Sequence, residues 1–272
     1  MTQPTPSRVG AGRQRLFVRL GDGIDFARYD ARQPESFSFF AYDVNPTASL
    51  AVNLRTALDT LPPADNTVTD AQVLVAASPV TLVPLAHFRE EDCAALYGYC
   101  FPESQGCEVY YDVLPMANAV LLFALQRQLA RTLEDTFGSV HYVSALTPLM
   151  RHFADKSSQG GQRLYAYAAE GRLHLSVFEG GRLLMANSYR MQAPTDAAYY
   201  LLNMARRTGT DPQTATFYVA GSSDLRDAIL GELRKYVRQV NAIHPAAEFN
   251  RHPVVRNKQV PYDLACFLLE MS

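Results

Sequence analysis

The sequence predicts an α/β protein in which a β-β-β-α-β-α unit occurs twice, with a small subdomain inserted in the first copy. Three observations carry that expectation. Residues 163–240 change hydrophobic period in the order strand, strand, strand, helix, strand, helix. Residues 16–77 repeat the opening of that order, as meander, helix, strand and small-residue turn, and Val75-Ala76-Ala77-Ser78 matches Val219-Ala220-Gly221-Ser222 in character. Residues 81–125 add a helix and two strands with no counterpart in the later copy. Each copy is too small to bury both faces of its sheet alone, so an internal duplication of low identity is the simplest account of the chain.

Taken in order, residues 1–14 are polar, with Pro, Ser, Gly and two arginines, and contain no apolar core of a secretion signal. They read as a disordered leader. Residues 16–20 and 24–29 flank Gly21-Asp22-Gly23, the tip of a hairpin, and 37–42 supply the third strand. Leu50, Leu54, Leu58 and Leu61 recur at helical spacing until Pro62-Pro63 stops them, and 73–77 is a strand ending in Ser78-Pro79. In the insertion, Arg89, Glu90, Glu91 and Asp92 begin a helix with acidic groups at its positive end, and Ala95, Leu96, Tyr97 and Cys100 turn inward or against a neighbour. Strands at 108–115 and 119–125 follow, and the whole is expected to project from the first unit. A helix closed by Gly138, a strand at 140–144 and a helix from Thr147-Pro148 complete a first domain at 15–156, and 157–161, Ser-Ser-Gln-Gly-Gly, reads as the linker.

The second domain, 162–272, opens with strands at 164–168, 173–178 and 183–189, separated by Glu170-Gly171 and Glu179-Gly180-Gly181, the turn chemistry of tight hairpins. Thr195 and Asp196 cap a helix that runs to about Arg207 and ends at Gly209. Its Tyr199-Tyr200 pair packs against the meander, with one ring partly exposed. Residues 216–220 form a strand that stops at Gly221-Ser222-Ser223, after which Leu225, Ile229, Leu233, Tyr236 and Val240 fall on one helical stripe. Phe249 is placed in a last strand, and Pro261 starts a terminal amphipathic helix carrying Leu264, Phe267 and Leu268.

Composition excludes several functions. With 272 residues, 48% hydrophobic and 19% charged, the chain can bury a sizeable core, and a formal net charge of −2 argues against a strongly basic nucleic-acid surface. No run approaches the roughly 18–20 apolar residues of a membrane span. Cys93, Cys100 and Cys107 recur every seven residues without a close C-x-x-C pair, so they read as free thiols. The six histidines are scattered without metal-ligand spacing, and neither a Gly-x-Ser-x-Gly elbow nor a Walker P-loop occurs. The sequence reads as cytoplasmic.

Duplicated β-β-β-α-β-α units of this kind resemble the actin, Hsp70 and sugar-kinase superfamily, whose ribonuclease-H-like domains face each other across a nucleotide cleft. More closely, the stretch at 171–189, the helix beginning Asp196-Ala-Ala-Tyr-Tyr-Leu-Leu and the run Leu233-Arg-Lys-Tyr-Val resemble the uncharacterised bacterial domain of unknown function 3822 family, which has an actin-like ATPase fold and no demonstrated activity. The insertion, with Val-Leu-Val-Ala at 73–76, its acidic helix start and its later hairpin, is also similar to pilus-assembly actin homologues. What the superfamily resemblance implies is an ATP and magnesium site made from an Asp-x-Gly pattern in the first hairpin of each unit, the carboxylates positioning magnesium and water while turn amides approach the phosphates. Here Gly21 stands where that Asp is expected, with Asp22 one place late before Gly23, and the second tip reads Ala169-Glu170-Gly171. Gly221, with Ser222 and Ser223, half-matches the glycine pair that packs on adenosine.

The candidate nucleotide-contacting residues are therefore Gly21, Asp22, Gly23, Glu170, Gly171, Gly221, Ser222 and Ser223, each of which is also ordinary turn or helix-cap chemistry. The resulting expectation is a pseudo-ATPase: a non-catalytic binding or scaffolding module that needs no cofactor and meets a protein partner through the insertion. Weak binding or hydrolysis of ATP is the alternative. A small-molecule kinase ranks third, because its general base and phosphate cradle have no evident residues. Homo-oligomerisation is left open.

Overall fold

The computed structural model describes residues 15–61 and 70–270. The expected leader and the Pro62-Pro63 helix stop lie outside them. The chain opens with an antiparallel meander, β1 (Arg15–Leu20), β2 (Ile24–Tyr29) and β3 (Ser38–Tyr42). Helix α1 (Leu50–Thr60) begins at Ser49, whose hydroxyl accepts the Val52 amide, and β4 (Asp70–Val75) then lies parallel to β1. After the insertion come α3 (Arg127–Thr136), β8 (Ser139–Ser144), parallel to β4, and α4 (Leu146–Lys156). The insertion itself holds β5 (Thr81–Pro84), α2 (Cys93–Cys100), β6 (Cys107–Leu114) and β7 (Ala119–Gln126).

The second half repeats the plan. A meander of β9 (Arg163–Ala169), β10 (Arg172–Glu179) and β11 (Arg182–Arg190) leads to α5 (Pro194–Arg207), β12 (Thr216–Gly221), α6 (Ser223–Leu233) and β13 (Gln239–Ala242). The two five-stranded sheets run β3-β2-β1-β4-β8 and β11-β10-β9-β12-β13. In both, the meander is antiparallel and the last two strands are added parallel to the first, so order and sense agree strand for strand.

The chain closes with two short helices, α7 (Pro245–Glu248) and α8 (Pro253–Arg256), and then α9 (Tyr262–Glu270). Although it follows the second sheet in sequence, α9 packs on the first, where Leu264, Phe267 and Leu268 meet Phe17, Ala27, Leu74 and Val143. It is buried from Tyr262 to Leu268 and so is not amphipathic as expected; apart from Asp263, which pairs with Arg19, the buried span is apolar or aromatic on every side and sits in the interior. The halves share one core. Tyr165, Tyr167, Phe178 and Ala220 of the second sheet join Leu16, Val18, Phe26 and Val73 of the first, and Phe153 of α4 stacks on Tyr165 with centroids 4.2 Å apart.

Several local expectations are corrected. The insertion has a third strand, β5, which pairs with β7 in a sheet of order β5-β7-β6. Nor does it simply project, because Leu114, Leu121 and Phe123 enter the main core. On α2 only Cys93 and Tyr97 are buried; Ala95, Leu96 and Cys100 face out. Helix α6 stops at Leu233, so Tyr236 lies in a turn and Val240 in β13, where it falls on the helical stripe by coincidence of spacing. Phe249 caps α7 rather than joining a strand. Asp196 lies inside α5 at its third position and reaches back to the Gln192 and Ala193 amides, while Thr195 also lies within the helix. Tyr200 stacks on Tyr189 at 4.0 Å and is partly buried, whereas Tyr199 is largely exposed.

Candidate functional site

The first hairpin tip and the second meet across the middle of the molecule, and an arginine inside β1 organises the contact. Arg19 stands in Leu-Phe-Val-Arg-Leu, a strand buried on both faces, and is 4% exposed. A guanidinium there is tolerable only if its donors are met. Its Nε and Nη2 donate to the two oxygens of Asp263 on α9 at 2.9 Å each, Nη2 also donates to Glu170 Oε1 at 2.7 Å, and Nη1 reaches Asp25 Oδ2 at 3.4 Å. The other Glu170 oxygen accepts the backbone N–H of Asp22. One cation thus ties β1 and β2 to the second hairpin and to α9.

Backbone geometry aims these groups. Glu170 and Gly171 both adopt left-handed conformations, φ 53° and 63°, giving the tight turn that their spacing suggests. That conformation costs a glutamate about 1 kcal/mol or more, and here it delivers the carboxylate to the opposite tip. At Gly21 the requirement is space. A Cβ there would lie 2.6 Å from both Arg19 Nη1 and Glu170 Oε1, so a bare backbone lets the two charges meet. Gly23 has no such crowding, and its carbonyl accepts the Gly21 N–H at 3.0 Å.

The electrostatics follow from burial. Desolvation works to lower the Arg19 pKa, but the paired Asp263 and neighbouring Glu170 outweigh it and hold the guanidinium charged. Burial pushes Asp25 up to about 6, reinforced by the nearby Asp263 and Glu170 and opposed by Arg19. Tyr167 is held well above its ordinary value by burial and then by Asp263.

Of the residues singled out from sequence, the structure brings Asp22 and Glu170 together directly, with Gly21 between them and Gly23 and Gly171 completing the two turns. Gly221, Ser222 and Ser223 stand apart at the end of β12, and among the described residues they make no hydrogen bond to either tip. Gly221 is needed for a different contact: at φ 140° its Cβ would lie 2.6 Å from the Ala168 carbonyl oxygen. Arg19, Asp25 and Asp263 are the site residues that sequence reasoning missed. Their signal is a charged residue inside an apolar run, in 16–20 for Arg19 and in Tyr-Asp-Leu-Ala-Cys-Phe-Leu-Leu for Asp263.

This arrangement fits a magnesium nucleotide poorly. The Asp25, Glu170 and Asp263 carboxylates all turn onto Arg19, and the Asp22 amide that could meet a phosphate already holds Glu170. Beside Glu170, Ser78, Ser144, Tyr167 and Asp263 line a void of about 10 Å³, room for a water molecule and not for a triphosphate. Among the described residues no group of three or more His, Cys, Asp or Glu could hold a metal ion. Cys93, Cys100, Cys107 and Cys266 are free thiols.

A family model described as protein of unknown function (DUF3822) matches residues 10–240. The chain belongs to that family. No curated protein matches it significantly. Among solved structures, this DUF3822 protein is similar to a Bacteroides thetaiotaomicron VPI-5482 protein with actin-like ATPase fold and unknown function, at 23% identity and a TM-score of 0.79, over 94% of this chain and 95% of that one. It is also similar to the PilM-PilN type IV pilus biogenesis complex, at 14% identity and a TM-score of 0.57, over 95% of this chain and 98% of the other. Both are likenesses of fold, and the fold is actin-like. No helix among the described residues is long and apolar enough to cross a membrane.

Proposed function

We propose that this DUF3822 protein is a non-catalytic binding module in which Glu170 stands where a nucleotide phosphate would have to sit. The observation that carries the reading is the Glu170 carboxylate, bonded at once to the Arg19 guanidinium and the Asp22 amide. Phosphoryl transfer depends on charge neutralisation by magnesium and on a positioned nucleophile, and loss of one such group costs factors of about a hundred or more in rate. Here the Asp25, Glu170 and Asp263 carboxylates are all turned onto Arg19.

The binding surface we assign is the outer face of α2. Leu96 and Tyr99 are exposed, with Tyr99 88% accessible, on a helix that carries no charged side chain. Exposed Glu90, Glu91, Asp92 and Glu103 rim it. That combination suits a protein segment with apolar residues at its centre and Lys or Arg around them. The partner named beside PilM is a further reason to look for a protein rather than a small substrate.

Purified protein assayed with magnesium ATP is expected to show no turnover above background. Steady turnover that disappears in Asp22→Asn or Glu170→Gln would overturn the proposal. A photo-crosslinker placed at Tyr99 in cells should capture a discrete partner in a salt-sensitive manner, and Leu96→Asp should abolish the capture; crosslinks indifferent to Leu96→Asp would remove α2 as the surface.

A further inference from the structure

A second and larger cavity, of about 260 Å³, opens between the halves on the insertion side of the two hairpin tips. Its walls come from three places. Leu82 of β5 and Leu149 and Phe153 of α4 make one side apolar, and His174 of β10 with Asn187 and Ser188 of β11 makes the other polar. His174 and Ser188 are a cross-strand pair, and the imidazole Nδ1 lies 2.7 Å from the Ser188 hydroxyl. That is the only hydrogen bond of the ring among the described residues, so its second nitrogen is left for an occupant.

Two properties narrow the class of occupant. First, no Lys, Arg, Asp or Glu lines the cavity. Burial, with Arg172 nearby, holds the His174 pKa down to about 4, so the ring is neutral at physiological pH and offers one donor or acceptor without charge. An ionised ligand entering here would lose its hydration with no counter-charge to replace it. Second, the volume falls below the roughly 300–1,000 Å³ of sites that take drug-sized molecules. A single ring with a few substituents fits, and a nucleoside triphosphate does not.

We propose that this cavity binds an uncharged, single-ring small molecule, its apolar body against Leu149 and Phe153 and its polar edge hydrogen-bonded by His174 and Ser188. The cavity shares Val80, Leu146, Tyr167 and His174 with the small void beside Glu170, but Glu170 itself does not line it, and the proposal does not depend on the non-catalytic reading. Because α4 and β5 form one wall and the β10–β11 hairpin the other, an occupant touches both halves at once. Binding would stabilise them against separation in proportion to ligand concentration over Kd.

Benzamide, benzoate and benzylamine share one ring and differ in charge, so they probe the class directly. Ligand-observed NMR on the full chain should show saturable binding of benzamide, with benzoate and benzylamine weaker by about tenfold or more. The ring nitrogen signals of His174 should move with benzamide. Ala186→Phe, which fills the cavity from its β11 wall, should abolish binding, and Ser188→Ala should weaken it about three- to tenfold. If Ala186→Phe proves unfolded, Ser188→Ala and the His174 signals decide alone. Equal binding of the three probes, no saturable benzamide binding up to its solubility limit, or binding with still His174 signals and no response to Ser188→Ala would each overturn the assignment.

Discussion

The β1–β2 and β9–β10 hairpins occupy equivalent places in sheets of the same strand order, yet their tips are chemically opposite. The first presents the donors of the Arg19 guanidinium and the Asp22 backbone amide; the second presents the Glu170 carboxylate that accepts from both. Two tips bearing like charge would repel unless a cation came between them. Tips of opposite charge close on each other. The comparison teaches that two sheets of the same strand order can carry opposite chemistry at their tips and so meet in a direct contact.

Breaking the cationic side should have the largest effect. Arg19→Met leaves Asp25, Glu170 and Asp263 facing one another with no counter-charge, and removing one partner of a buried ion pair costs about 3–5 kcal/mol. Urea unfolding should show a loss of that size. A loss below about 1 kcal/mol would mean that water already screens the cluster.

The strand ends after each α-helix give a sharper pair. Ala77 and Gly221 hold matching places in Val-Ala-Ala-Ser and Val-Ala-Gly-Ser, but Gly221 alone has a left-handed φ of 140° and a carbonyl 2.6 Å from where a Cβ would stand. Gly221→Ala should cost about 2–3 kcal/mol. Ala77→Gly, at an exposed position, should cost well under half of that. Equal effects in thermal unfolding would undo the assignment of strain to the second copy.

On the carboxylate side, Glu170→Ala removes the bonds to Arg19 and Asp22 but leaves Asp263 and Asp25 to hold the guanidinium. A loss of about 1–2 kcal/mol follows. The variant also frees the Asp22 amide and one edge of Arg19. Inorganic phosphate should therefore raise its melting temperature more than it raises that of the parent protein, and an equal response in the two proteins would count against Glu170 as an occupant of the anion position.

Most of the fold is legible in the sequence because it rests on local rules. Glu170-Gly171 and Gly180-Gly181 mark hairpins whose turn residues all take positive φ, and Leu54 and Leu201 lie on apolar stripes that pack against their sheets. The failures are also physical. β5 is four residues long and ends in Pro84, too short to declare a period, and its partners on β7 lie far downstream, from Ala119 to Leu122. The site was least legible, since Arg19 and Asp263 lie 244 residues apart and nothing local to either names the other. Only their improbable company, charged groups among buried apolar neighbours, points to a partner.

Asp25 separates the role of the pair from the role of the cluster by pH. Its carboxyl titrates near 6 in the folded protein against an ordinary 3.8, so the native state holds its proton more tightly than the unfolded chain does. The sign follows: between about pH 4 and 6 the unfolded state binds fewer protons, and this group's contribution to stability falls as pH rises. Above pH 6 the full penalty of a third carboxylate beside Arg19 is present; below pH 4 it is gone. Asn at the same position keeps an acceptor for Arg19 Nη1 and removes the charge. Asp25→Asn should therefore be more stable than the parent protein at pH 7, by about 1 kcal/mol, the size of one hydrogen bond's net worth. Subtracting one protein from the other cancels groups that titrate in both, notably Glu248, whose carboxyl is held down to about 2: burial works against that shift, and bonds from His152, Lys156 and Tyr262 outweigh it. Chemical denaturation at a series of pH values should show the gap between variant and parent closing as pH falls from 7 to 4. A gap that widens instead would mean that the charged form of Asp25 is needed to hold Arg19, and that the cluster is a balanced network rather than one cation shared by too many acids.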